Sequence, residues 1–567
     1  MKHYIIGGIL LFSLTLAAQE SGPEKGGLDP AQIAKPLSSD WLTYNGDYSA
    51  KRYSKLNLIN QQTVKNLSLG WVIRLTAGEG GAGGGRGGRG GRGGGGEETP
   101  LVVGGDGTAD SGTGVNIRAS ILEVDGMLYV SSPDNAWALD ARDGRVLWHY
   151  FWKTRGGTHI GNRGMGMWKT WLYFETPDDY LICLDSRTGK EKWHVPIADF
   201  VQQYFSTMAP IVVGDHVLVG TGDDLDAPGF LQSFDPETGK RQWIWWSTPH
   251  EPGDAGLETW ANLDAARHGG GQMWVPGAYD PETHLYIAGT GNPTPAYTSA
   301  SRGEGANLYT CSIVAIDVET GKLKWYYQVS PHDTHDWDAG QTPIIFDGIF
   351  QGKPRKMVAH ASRNGYYFTL DRLTGERLVS FKWSDSVNWA EPALNKAGQP
   401  VRIPAKDFDI GGSLISPDNG GATNWPPPAY SPDTGLFYVP QADRYAMYYL
   451  TETDPRGAMG LGGKDELGVG SMGSFLTAIN PTTGKIAWRH EYPGGSGLTN
   501  GLLTTAGRLL FGGDPSGNLV AYDPATGKPL WHSRIGGVSN APETYMLDGH
   551  QVLLVAAGDA IFSFVLN

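Results

Sequence analysis

The sequence lacks the features that hold small disulfide-rich proteins and cytochromes together. Only two of its 567 residues are cysteines, Cys183 and Cys311, and both lie in apolar, strand-like runs. Buried thiols are the usual state of such residues, so we predict no disulfide. No Cys-x-x-Cys-His motif occurs, so no covalently attached c-type haem is expected.

Long apolar runs are almost absent as well. The exception is Ile5–Leu16, which follows Lys2 and His3 and precedes the small residues Ala17 and Ala18. This order predicts a secretory signal peptide at residues 1–18, and an uncleaved membrane anchor is the alternative. The remaining residues, 19–567, are predicted to form a single domain.

Excess positive charge is missing too. The formal net charge is -14, which argues against a nucleic-acid partner. A glycine-rich tract at residues 78–96 contains Arg86, Arg89 and Arg92 and resembles RNA-binding Arg-Gly-Gly segments. In an acidic, secreted chain we interpret this tract as a disordered insertion.

A short turn motif, in contrast, recurs along the chain. Each copy begins with Asp or Asn, has Gly four residues later and usually has Trp four residues after that. The first residue opens a hairpin turn, the Gly takes the positive-φ position, and the next strand carries the Trp against the neighbouring unit. Seven clear copies begin at Asp140, Asp185, Asp235, Asp317, Asp371 (which lacks the Trp), Asn480 and Asp523.

The spacing of these copies predicts the fold. Several lie about 43 to 50 residues apart, which suits a four-stranded sheet of a β-propeller. With a degenerate unit at Tyr430–Val439, we predict an all-β, eight-bladed propeller. The stretches Leu69–Leu75 and Ala560–Leu566 are predicted to pair, so that the two termini close the ring and remove exposed strand edges.

One loop concentrates groups that carry chemistry. His332, Asp333, His335, Asp336 and Asp338 fall within seven residues, between two strand-like runs. So many acids repel one another unless a cation or a shared proton relieves them. The alternative for an arbitrary Asp-x-Asp pair is a solvated acidic turn.

Two further strands end in similar polar groups. A strand that ends in Gly-Thr-Gly precedes Asp224, and another precedes Asn292. In a propeller these ends lie on one face around the axis, so Asp224, Asn292, Asp336 and Asp338 are expected to converge. Carboxylate and amide oxygens bind Ca²⁺ or, with enough negative charge, a trivalent ion. Taken singly, each residue also fits an ordinary turn.

Three larger side chains suit a flat, anionic ligand. Trp274 follows glycines and is out of register with the repeated Trp residues, so we interpret it as the floor beneath a flat aromatic ligand. A core Trp is the alternative. Arg163 and Arg363 are flanked by turn residues and suit recognition of carboxylates.

Together these motifs resemble those of a known family, the quinoprotein dehydrogenases that use pyrroloquinoline quinone (PQQ). The resemblance covers nearly the whole chain after the signal peptide. It rests on five motifs in one order: Asn162-Arg163-Gly164, Gly269 to Trp274, Gly291-Asn292-Pro293, the Asp336 loop and Arg363-Asn364-Gly365. The family is an eight-bladed propeller with PQQ and a cation on its axis, and the same arrangement is expected here.

The resemblance also implies roles for the matching residues. Asp336 matches the catalytic base, and Arg363 matches the cation that faces the quinone oxygens. The implied metal ligands are Asp224, Asn292, Asp336 and, as an extra ligand, Asp338. The implied cofactor-binding residues are Arg163 and Thr207 for the PQQ carboxylates, Trp274 stacked on the ring, Arg363, Asn424 and Trp425.

Two departures from the family pattern bear on substrate and metal. Alcohol-oxidising members carry adjacent cysteines where this chain has Gly157 and Thr158, whereas membrane glucose-oxidising members lack the pair. Lanthanide-using alcohol members have an Asp at the position of Asp338, but the sugar-type loop has one too. Alcohol versus sugar and Ca²⁺ versus a lanthanide therefore stay open at this point.

The implied activity is that of a periplasmic dehydrogenase acting on an alcohol or sugar hydroxyl. Asp336 accepts the hydroxyl proton, hydride passes to PQQ, and the electrons leave to an external acceptor, a cytochrome c or a quinone. The alternatives are a non-enzymatic propeller scaffold of the envelope and a ligand-binding propeller without redox chemistry. The scaffold has no use for the axial acids, Trp274 and the two arginines together, and the ligand-binding propeller is distinguished by the quinone absorbance expected after reconstitution with PQQ and a cation.

Overall fold

The computed structural model describes residues 1, 27–78, 99–108, 114–222, 224–451 and 463–566. The predicted signal peptide after Met1, and the predicted disordered insertion after Gly78, lie outside the described residues. In the described part, strands dominate and the α-helices are two short segments, α1 Pro30–Ile33 and α2 Leu263–Arg267. No helix among these residues is long and apolar enough to cross a membrane.

The strands of the described residues form eight sheets, each with four or five strands. Two early strands, β1 Tyr53–Ser54 and β2 Leu67–Arg74, join the sheets formed by the end of the chain. Sheet I contains β3 Leu101–Gly104, β4 Leu122–Val124, β5 Met127–Ser132, β6 Asn135–Asp140 and β7 Val146–Trp152. Sheet II contains β8 Gly166–Trp168, β9 Trp171–Glu175, β10 Tyr180–Asp185 and β11 Glu191–Pro196.

The next three sheets follow in chain order. Sheet III contains β12 Ile211–Val213, β13 His216–Val219, β14 Phe230–Phe234 and β15 Arg241–Trp246. Sheet IV contains β16 Ala278–Asp280, β17 Leu285–Gly289, β18 Ser312–Asp317 and β19 Leu323–Gln328. Sheet V contains β20 Ile344–Phe350, β21 Lys353–Ala361, β22 Tyr366–Asp371 and β23 Arg377–Lys382.

The last three sheets complete the described architecture. Sheet VI contains β24 Ser413–Ile415, β25 Ala429–Ser431, β26 Leu436–Leu450, β27 Lys464–Asn480 and β28 Lys485–Glu491. Sheet VII contains β29 Leu503–Thr505, β30 Leu509–Gly513, β31 Asn518–Tyr522, β32 Pro529–Arg534 and the early strand β1. Sheet VIII contains β33 Glu543–Leu547, β34 His550–Ala557, β35 Ala560–Leu566 and the early strand β2.

The repeated turn joins the last two strands of sheets I to VII. The side chain of its first residue accepts hydrogen bonds from residues that follow it in the turn. Asp235 shows the design: one carboxylate oxygen accepts the N–H and the hydroxyl of Thr238, each at 2.8 Å. The Trp of one sheet then lies over the turn Gly of the next. Trp193 of sheet II covers Gly239 of sheet III and donates its indole N–H to the Glu237 carbonyl at 3.0 Å. In sheet V, where the Trp is missing, side chains of β23 cover the turn glycine of sheet VI.

The eighth unit predicted at Tyr430–Val439 is wrong. Its turn joins β25 to β26, the first two strands paired in that part of sheet VI, whereas the other copies join the last two strands of their sheets. Sheet VI already has the usual turn, which opens at Asn480 and connects β27 to β28. The degenerate copy resembled the repeat because any tight hairpin favours the same Asp, Thr and Gly residues.

The predicted pairing of the two terminal segments is confirmed. Strand β2 runs antiparallel to β35, with Leu67 opposite Leu566. Trp71 of β2 covers Gly144 of sheet I and donates its indole N–H to the Ala141 carbonyl at 3.1 Å. Sheet VIII thus takes its outer strand from the start of the chain and docks that strand as the other sheets dock theirs.

Buried apolar side chains fill the spaces between neighbouring sheets. Val130 of sheet I and Leu554 of sheet VIII belong to one cluster, and Phe346 of sheet V and Phe437 of sheet VI belong to another. Close packing of this kind resists relative movement of the sheets, so the loops at their ends are held in fixed positions. Both cysteines are buried and neither forms a disulfide, as predicted.

Candidate active site

The functional side chains lie in loops at one end of the strands of sheets II to V. Asp224, Asn292 and Arg363 follow the second strands of sheets III, IV and V, which are β13, β17 and β21. Arg163, Thr207, Trp274 and the Asp336 loop precede the first strands of sheets II, III, IV and V. In an antiparallel sheet the end of the second strand and the beginning of the first strand meet at the same edge.

Arg363 brings the two acids of the loop together. Its Nη2 lies 3.3 Å from Asp336 Oδ2, and its Nη1 donates to Asp338 Oδ2. The other oxygen of Asp338 accepts the backbone N–H of Asn292 at 2.6 Å. Arg363 also donates to the Asn419 carbonyl. Of the four residues predicted to converge, Asn292, Asp336 and Asp338 are therefore joined through these contacts, and Asp224 is near enough for the charges of Asp338 and Arg363 to act on its pKa.

Asp333 shapes this loop. Its Oδ2 accepts the backbone N–H groups of His335, Asp336 and Trp337 at 2.8 to 3.2 Å. Asp336 has a φ of +67°, a conformation that non-glycine residues seldom adopt unless their surroundings hold them. The three bonds to Asp333 supply that restraint. The imidazole of His335 stacks on the Trp337 indole at 4.3 Å, so it too supports the loop.

The indole ring of Trp274 lies against the guanidinium group of Arg163. The guanidinium carbon of Arg163 lies 4.5 Å from the centre of the Trp274 ring and 5.3 Å from that of Trp425. Arg163 Nη1 also donates to the Thr207 carbonyl at 3.1 Å. Four of the predicted cofactor-binding residues thus form one contact group. A Cβ at Gly340 would approach the Trp274 ring to 2.9 Å, which places the indole against the Asp336 loop.

Asn424 is the predicted residue that joins this group least. Its amide donates to the Gly420 carbonyl at 2.9 Å, and its carbonyl accepts the N–H of Trp425 at 2.7 Å. These bonds close its own loop. The loop itself is tied to the site because the Ala422 N–H donates to the Arg363 carbonyl at 2.9 Å.

Several buried polar atoms at the site have no hydrogen-bond partner among the described residues. They are Asp224 Oδ1, Asn292 Oδ1, Asp336 Oδ1, Thr207 Oγ1 and Trp274 Nε1. An unsatisfied buried polar atom costs about 1–3 kcal/mol, so five in one place indicate a site that a ligand completes. Three are oxygens of the type that hard cations bind, and the other two are donors or acceptors around the indole.

The acids of the site do not gather into one compact cluster within the part of the chain that the structure describes. Within the described residues, no group of three or more His, Cys, Asp or Glu side chains stands at metal-binding distances. Asp336 and Asp338 are held by Arg363 instead. The Asn292 amide adds an uncharged oxygen without a partner among the described residues.

The electrostatics of the site oppose ionisation of its acids. Burial, helped by the neighbouring Asp224 and Asp338 and opposed by Arg363, raises the pKa of Asp336 well above its ordinary range. Burial and the charge of Asp338 raise the pKa of Asp224 to about 7. Carboxyl groups shifted in this way are typical of sites that bind a cation or exchange protons.

Gly157 and Thr158 stand where alcohol-oxidising members of the family carry adjacent cysteines, and His159 follows them. Gly157 has a φ of +93°, and a Cβ there would collide with the Pro177 carbonyl, so no side chain fits. His159 Nε2 lies 2.7 Å from Asp134 Oδ2. Burial opposes protonation of His159, yet the Asp134 carboxylate raises its pKa above the ordinary value.

Sequence reasoning missed Asn419, Tyr448 and Tyr297, which the structure places at or beside the site. Asn419 accepts from Arg363 through its carbonyl and donates its N–H to the Tyr448 hydroxyl at 2.6 Å. Tyr297 is buried, and its burial together with the charges of Asp336 and Asp224 raises its pKa. No repeat or motif marks these residues, because they lie in the insertions that interrupt the repeat.

A family model covers more than half of the chain. Residues 41–385 match the model described as glucose/ethanol/alcohol dehydrogenase, beta-propeller domain, of the PQQ group. Residues 472–565 match the model of the outer membrane protein assembly factor BamB. The first match contains every predicted site residue except Asn424 and Trp425.

Relatives match over nearly the full length. The quinohemoprotein alcohol dehydrogenase of Comamonas testosteroni is 35% identical over an alignment of 558 residues that covers 92% of this chain and 72% of that protein. Its crystal structure covers 95% of this chain and 82% of its own, with 31% identity and a TM-score of 0.80. The quinoprotein alcohol dehydrogenase PedH of Pseudomonas putida is 32% identical over 93% of this chain and 87% of its own.

A solved europium-containing methanol dehydrogenase is similar as well. It has 26% identity and a TM-score of 0.80, and the match covers 94% of this chain and 99% of the other. The matched family uses PQQ with a calcium or lanthanide ion, and the buried unsatisfied atoms around Trp274 and Asn292 fit such a pair of ligands. The chain therefore belongs to the PQQ-dependent quinoprotein dehydrogenases, and it is an oxidoreductase of the alcohol dehydrogenase type.

Proposed function

We propose that this protein is a periplasmic dehydrogenase that oxidises a primary alcohol and passes the electrons to an external cytochrome c or quinone. The observation that carries the proposal is the group of unsatisfied buried oxygens beside the Arg363–Asp336 pair. The signal-like residues 1–18 support the location.

The fold proposed for this function is a closed ring of eight blades. Seven sheets with the repeated turn and one sheet that joins β2 to β35 support this arrangement. The docking of Trp71 on Gly144 supports contact between the last sheet and the first. A closed ring would place the loops that carry the site around one axis.

Trp274, Arg163 and Thr207 would hold PQQ. The indole offers a flat face, and its unsatisfied N–H lies in the same contact group as the unsatisfied Thr207 hydroxyl. Arg163 would turn its guanidinium from the indole face to the acid groups of the cofactor. When bound, PQQ supplies the two-electron acceptor that the side chains of this protein lack.

Asp224 and Asn292 would hold the cation. Each contributes a buried oxygen that has no partner among the described residues. Both oxygens of Asp338 accept hydrogen bonds, but its negative charge lies beside the cation and favours a trivalent over a divalent ion. We therefore propose a lanthanide ion as the preferred metal, with Ca²⁺ as the alternative.

Asp336 would act as the general base. Arg363 holds one carboxylate oxygen, Oδ2, so Oδ1 is left to accept the proton of the substrate hydroxyl. A cation held beside Asp336 would lower its pKa and keep it ionised before the reaction, against the effect of burial. Arg363 stabilises negative charge that develops beside it during the reaction.

A sugar substrate is the second candidate. It is favoured by the residues at the position of the family's cysteine pair, where Gly157 and the His159–Asp134 pair leave a more polar surface. A non-enzymatic scaffold is not favoured, because such a protein has no use for buried acids held by an arginine.

The proposal is tested by reconstitution. The purified protein is loaded with PQQ and either Ca²⁺ or La³⁺, and dye reduction is followed with ethanol, 1-butanol and glucose. We expect a bound quinone absorbance and turnover with the primary alcohols. Glucose oxidation without alcohol oxidation would favour the second candidate, and a lack of both the absorbance and any turnover would reject the dehydrogenase.

A further inference from the structure

Two insertions that interrupt the repeat lie beside the candidate site. One contains Tyr297 and follows Asn292. The other is the outer part of β26 and β27, which continue as a paired hairpin beyond the strands of their sheet, from Asp443 opposite Gly473 to Leu450 opposite Lys464. We call this outer part the hairpin arm.

Three aromatic rings connect the two insertions. The Tyr297 ring stacks on Phe408 at 4.9 Å and 19°, and Phe408 stacks on Tyr448 of the hairpin arm at 4.4 Å and 8°. Lys464 of the same arm places its ammonium 4.5 Å from the centre of the Tyr297 ring and 4.9 Å from that of Tyr448. The rings of Tyr297 and Tyr448 are therefore held by Phe408 between them and by the ammonium group of Lys464.

This stack lies directly beside the reactive groups. The edge of the His335 imidazole packs on Phe408 at 5.3 Å, and His335 is the chain neighbour of Asp336. Tyr448 accepts the N–H of Asn419, whose carbonyl accepts from Arg363. The charges of Asp336 and Asp224 act on Tyr297 itself.

The two tyrosines of the stack differ in the state of their hydroxyl groups. The Tyr448 hydroxyl is occupied, because it accepts from Asn419 at 2.6 Å and donates to Glu466 at 3.2 Å. The Tyr297 hydroxyl is buried and has no hydrogen-bond partner among the described residues. The Asn419 side chain approaches it without reaching hydrogen-bonding geometry.

The Tyr297 hydroxyl stays protonated in this environment. Burial and the charges of Asp336 and Asp224 raise its pKa well above the ordinary value. A neutral phenol donates one hydrogen bond, and a buried donor without an acceptor is costly. A ligand that brings an acceptor to this point removes the cost.

We infer that Tyr297 is a substrate-binding residue that donates a hydrogen bond to a second oxygen of the substrate, so that the preferred substrates are alcohols with an ether or hydroxyl oxygen near the reacting carbinol. The reacting hydroxyl goes to Asp336 Oδ1, and the second oxygen goes to Tyr297. This inference rests on the proposed function and names the substrate class of the same site.

The test compares 2-methoxyethanol with 1-butanol, which differ by an ether oxygen in place of a methylene group. An ether oxygen only accepts hydrogen bonds, so the pair isolates the donor on the protein. We expect the wild-type holoenzyme to prefer 2-methoxyethanol in kcat/KM by about five- to tenfold, the value of one neutral hydrogen bond. Tyr297→Phe keeps the ring stack and removes that preference.

Tyr448→Phe is the matched control. It removes a hydroxyl from the same stack, but one that already has protein partners, so both substrates should be affected by the same factor. Equal preference in the wild type, or an unchanged preference in Tyr297→Phe, would overturn the inference.

A second measurement does not depend on turnover. Tertiary alcohols have no carbinol hydrogen to transfer, so they bind without reacting. Calorimetry on the holoprotein should show tighter binding of 1-methoxy-2-methyl-2-propanol than of 2-methyl-2-pentanol, and Tyr297→Phe should abolish the difference. If the wild type binds the ether more tightly but oxidises no alcohol, the proposed function fails, and Tyr297 remains only a hydrogen-bond donor to a bound ether. If it oxidises both alcohols without preference and binds both tertiary alcohols equally, only the inference fails.

Discussion

The outer turns of the sheets and the loops of the site use the same residue types in opposite ways. In the turn at Asp235, one carboxylate oxygen accepts three hydrogen bonds from Glu237 and Thr238, which lie two and three residues later in the chain. In the site, Asp336 Oδ1 and Asn292 Oδ1 accept none from the described residues. The Trp residues differ in the same way, because Trp193 donates to a carbonyl and the Trp274 N–H has no partner there.

The difference separates groups that stabilise the fold from groups that await a ligand. A turn Asp whose bonds are satisfied by its own loop adds to stability and has nothing left to offer. A buried Asp without bonds lowers stability until something binds it. Changes in the site should therefore reduce activity and leave the fold intact, whereas changes in the turns should reduce stability and leave the site intact.

The largest effect on activity is expected for Asp336→Ala. A general base contributes about 10²–10⁴-fold to the rate, so dye-linked alcohol oxidation by the holoenzyme should fall by at least a hundredfold. The midpoint of thermal unfolding of the protein without ligands should not decrease, because a buried acid with a raised pKa is removed. Activity close to that of the wild type would reject the role of Asp336.

Asp338→Asn should change the choice of metal. The substitution removes one negative charge next to Asp336 and Asn292 and keeps the shape of the side chain. We expect La³⁺ affinity to fall by at least about tenfold and Ca²⁺ affinity to change less, since the trivalent ion depends more on charge. Titration of dye-linked activity with each metal measures both. An equal loss for the two ions would contradict the assignment.

Gly321→Ala tests the outer turns. Gly321 has a φ of +66°, and an added Cβ would lie 2.6 Å from the Trp243 ring. We expect a loss of about 1–3 kcal/mol in the free energy of unfolding, with little change in kcat of the folded enzyme. Chemical denaturation measures the loss.

Gly435→Ala is the matched control for that variant. Gly435 has a nearly equal φ of +67°, but no atom lies within 4 Å of its added Cβ. It therefore bears the backbone cost without the collision. If both variants lose the same stability, the docking of Trp on the turn glycine does not matter.

The smallest expected effect is on the pH dependence of stability. The native pKa of Asp224 is about 7, above its unfolded value of 3.8, so the folded apoprotein binds more protons between these values and its stability falls as the pH rises from about 4 to 7. Asp317 of an outer turn behaves in the opposite sense. Burial opposes its ionisation, but hydrogen bonds from Thr320 and Lys324 lower its pKa, so its contribution is present above 3.8 and is lost as the pH falls.

Asp224→Asn should flatten this pH dependence in the metal-free protein. The expected change in slope is at most about 1.4 kcal/mol per pH unit, the value of one proton. Urea unfolding at pH 5 and pH 7 measures the slope. The contrary result is an unchanged difference between the two pH values.

The sequence predicted the elements that repeat and missed those that do not. The turn at Asp235 and the strand that carries Trp243 could be predicted because the same local physics recurs in each unit. The unit at Tyr430 was misplaced because a hairpin motif does not reveal which two strands it joins. The role of Asp333 also required the structure, since three backbone N–H groups converge on one oxygen only after the loop has folded.

The same limit applies to the site. Asp336, Asn292 and Trp274 were identifiable from their motifs, but the contact of Arg363 with Asp338 joins two loops that are far apart in the chain. Tyr297 and Lys464 come from insertions without a repeat, and only their positions around Phe408 reveal a common role. Composition gives no indication that one tyrosine hydroxyl of that stack is occupied and the other is not.

The pairing of β2 with β35 gives the molecule an order of assembly. Most sheets form from one continuous stretch of chain, but this one joins residues 67–74 to residues 560–566. Bringing together segments so distant in sequence carries the largest loop-closure cost and is slow. A chain emerging from the ribosome can complete its other sheets in turn, yet β2 must wait for the final residues. Removal of β35 would therefore leave β2 without the strand to which it is hydrogen-bonded.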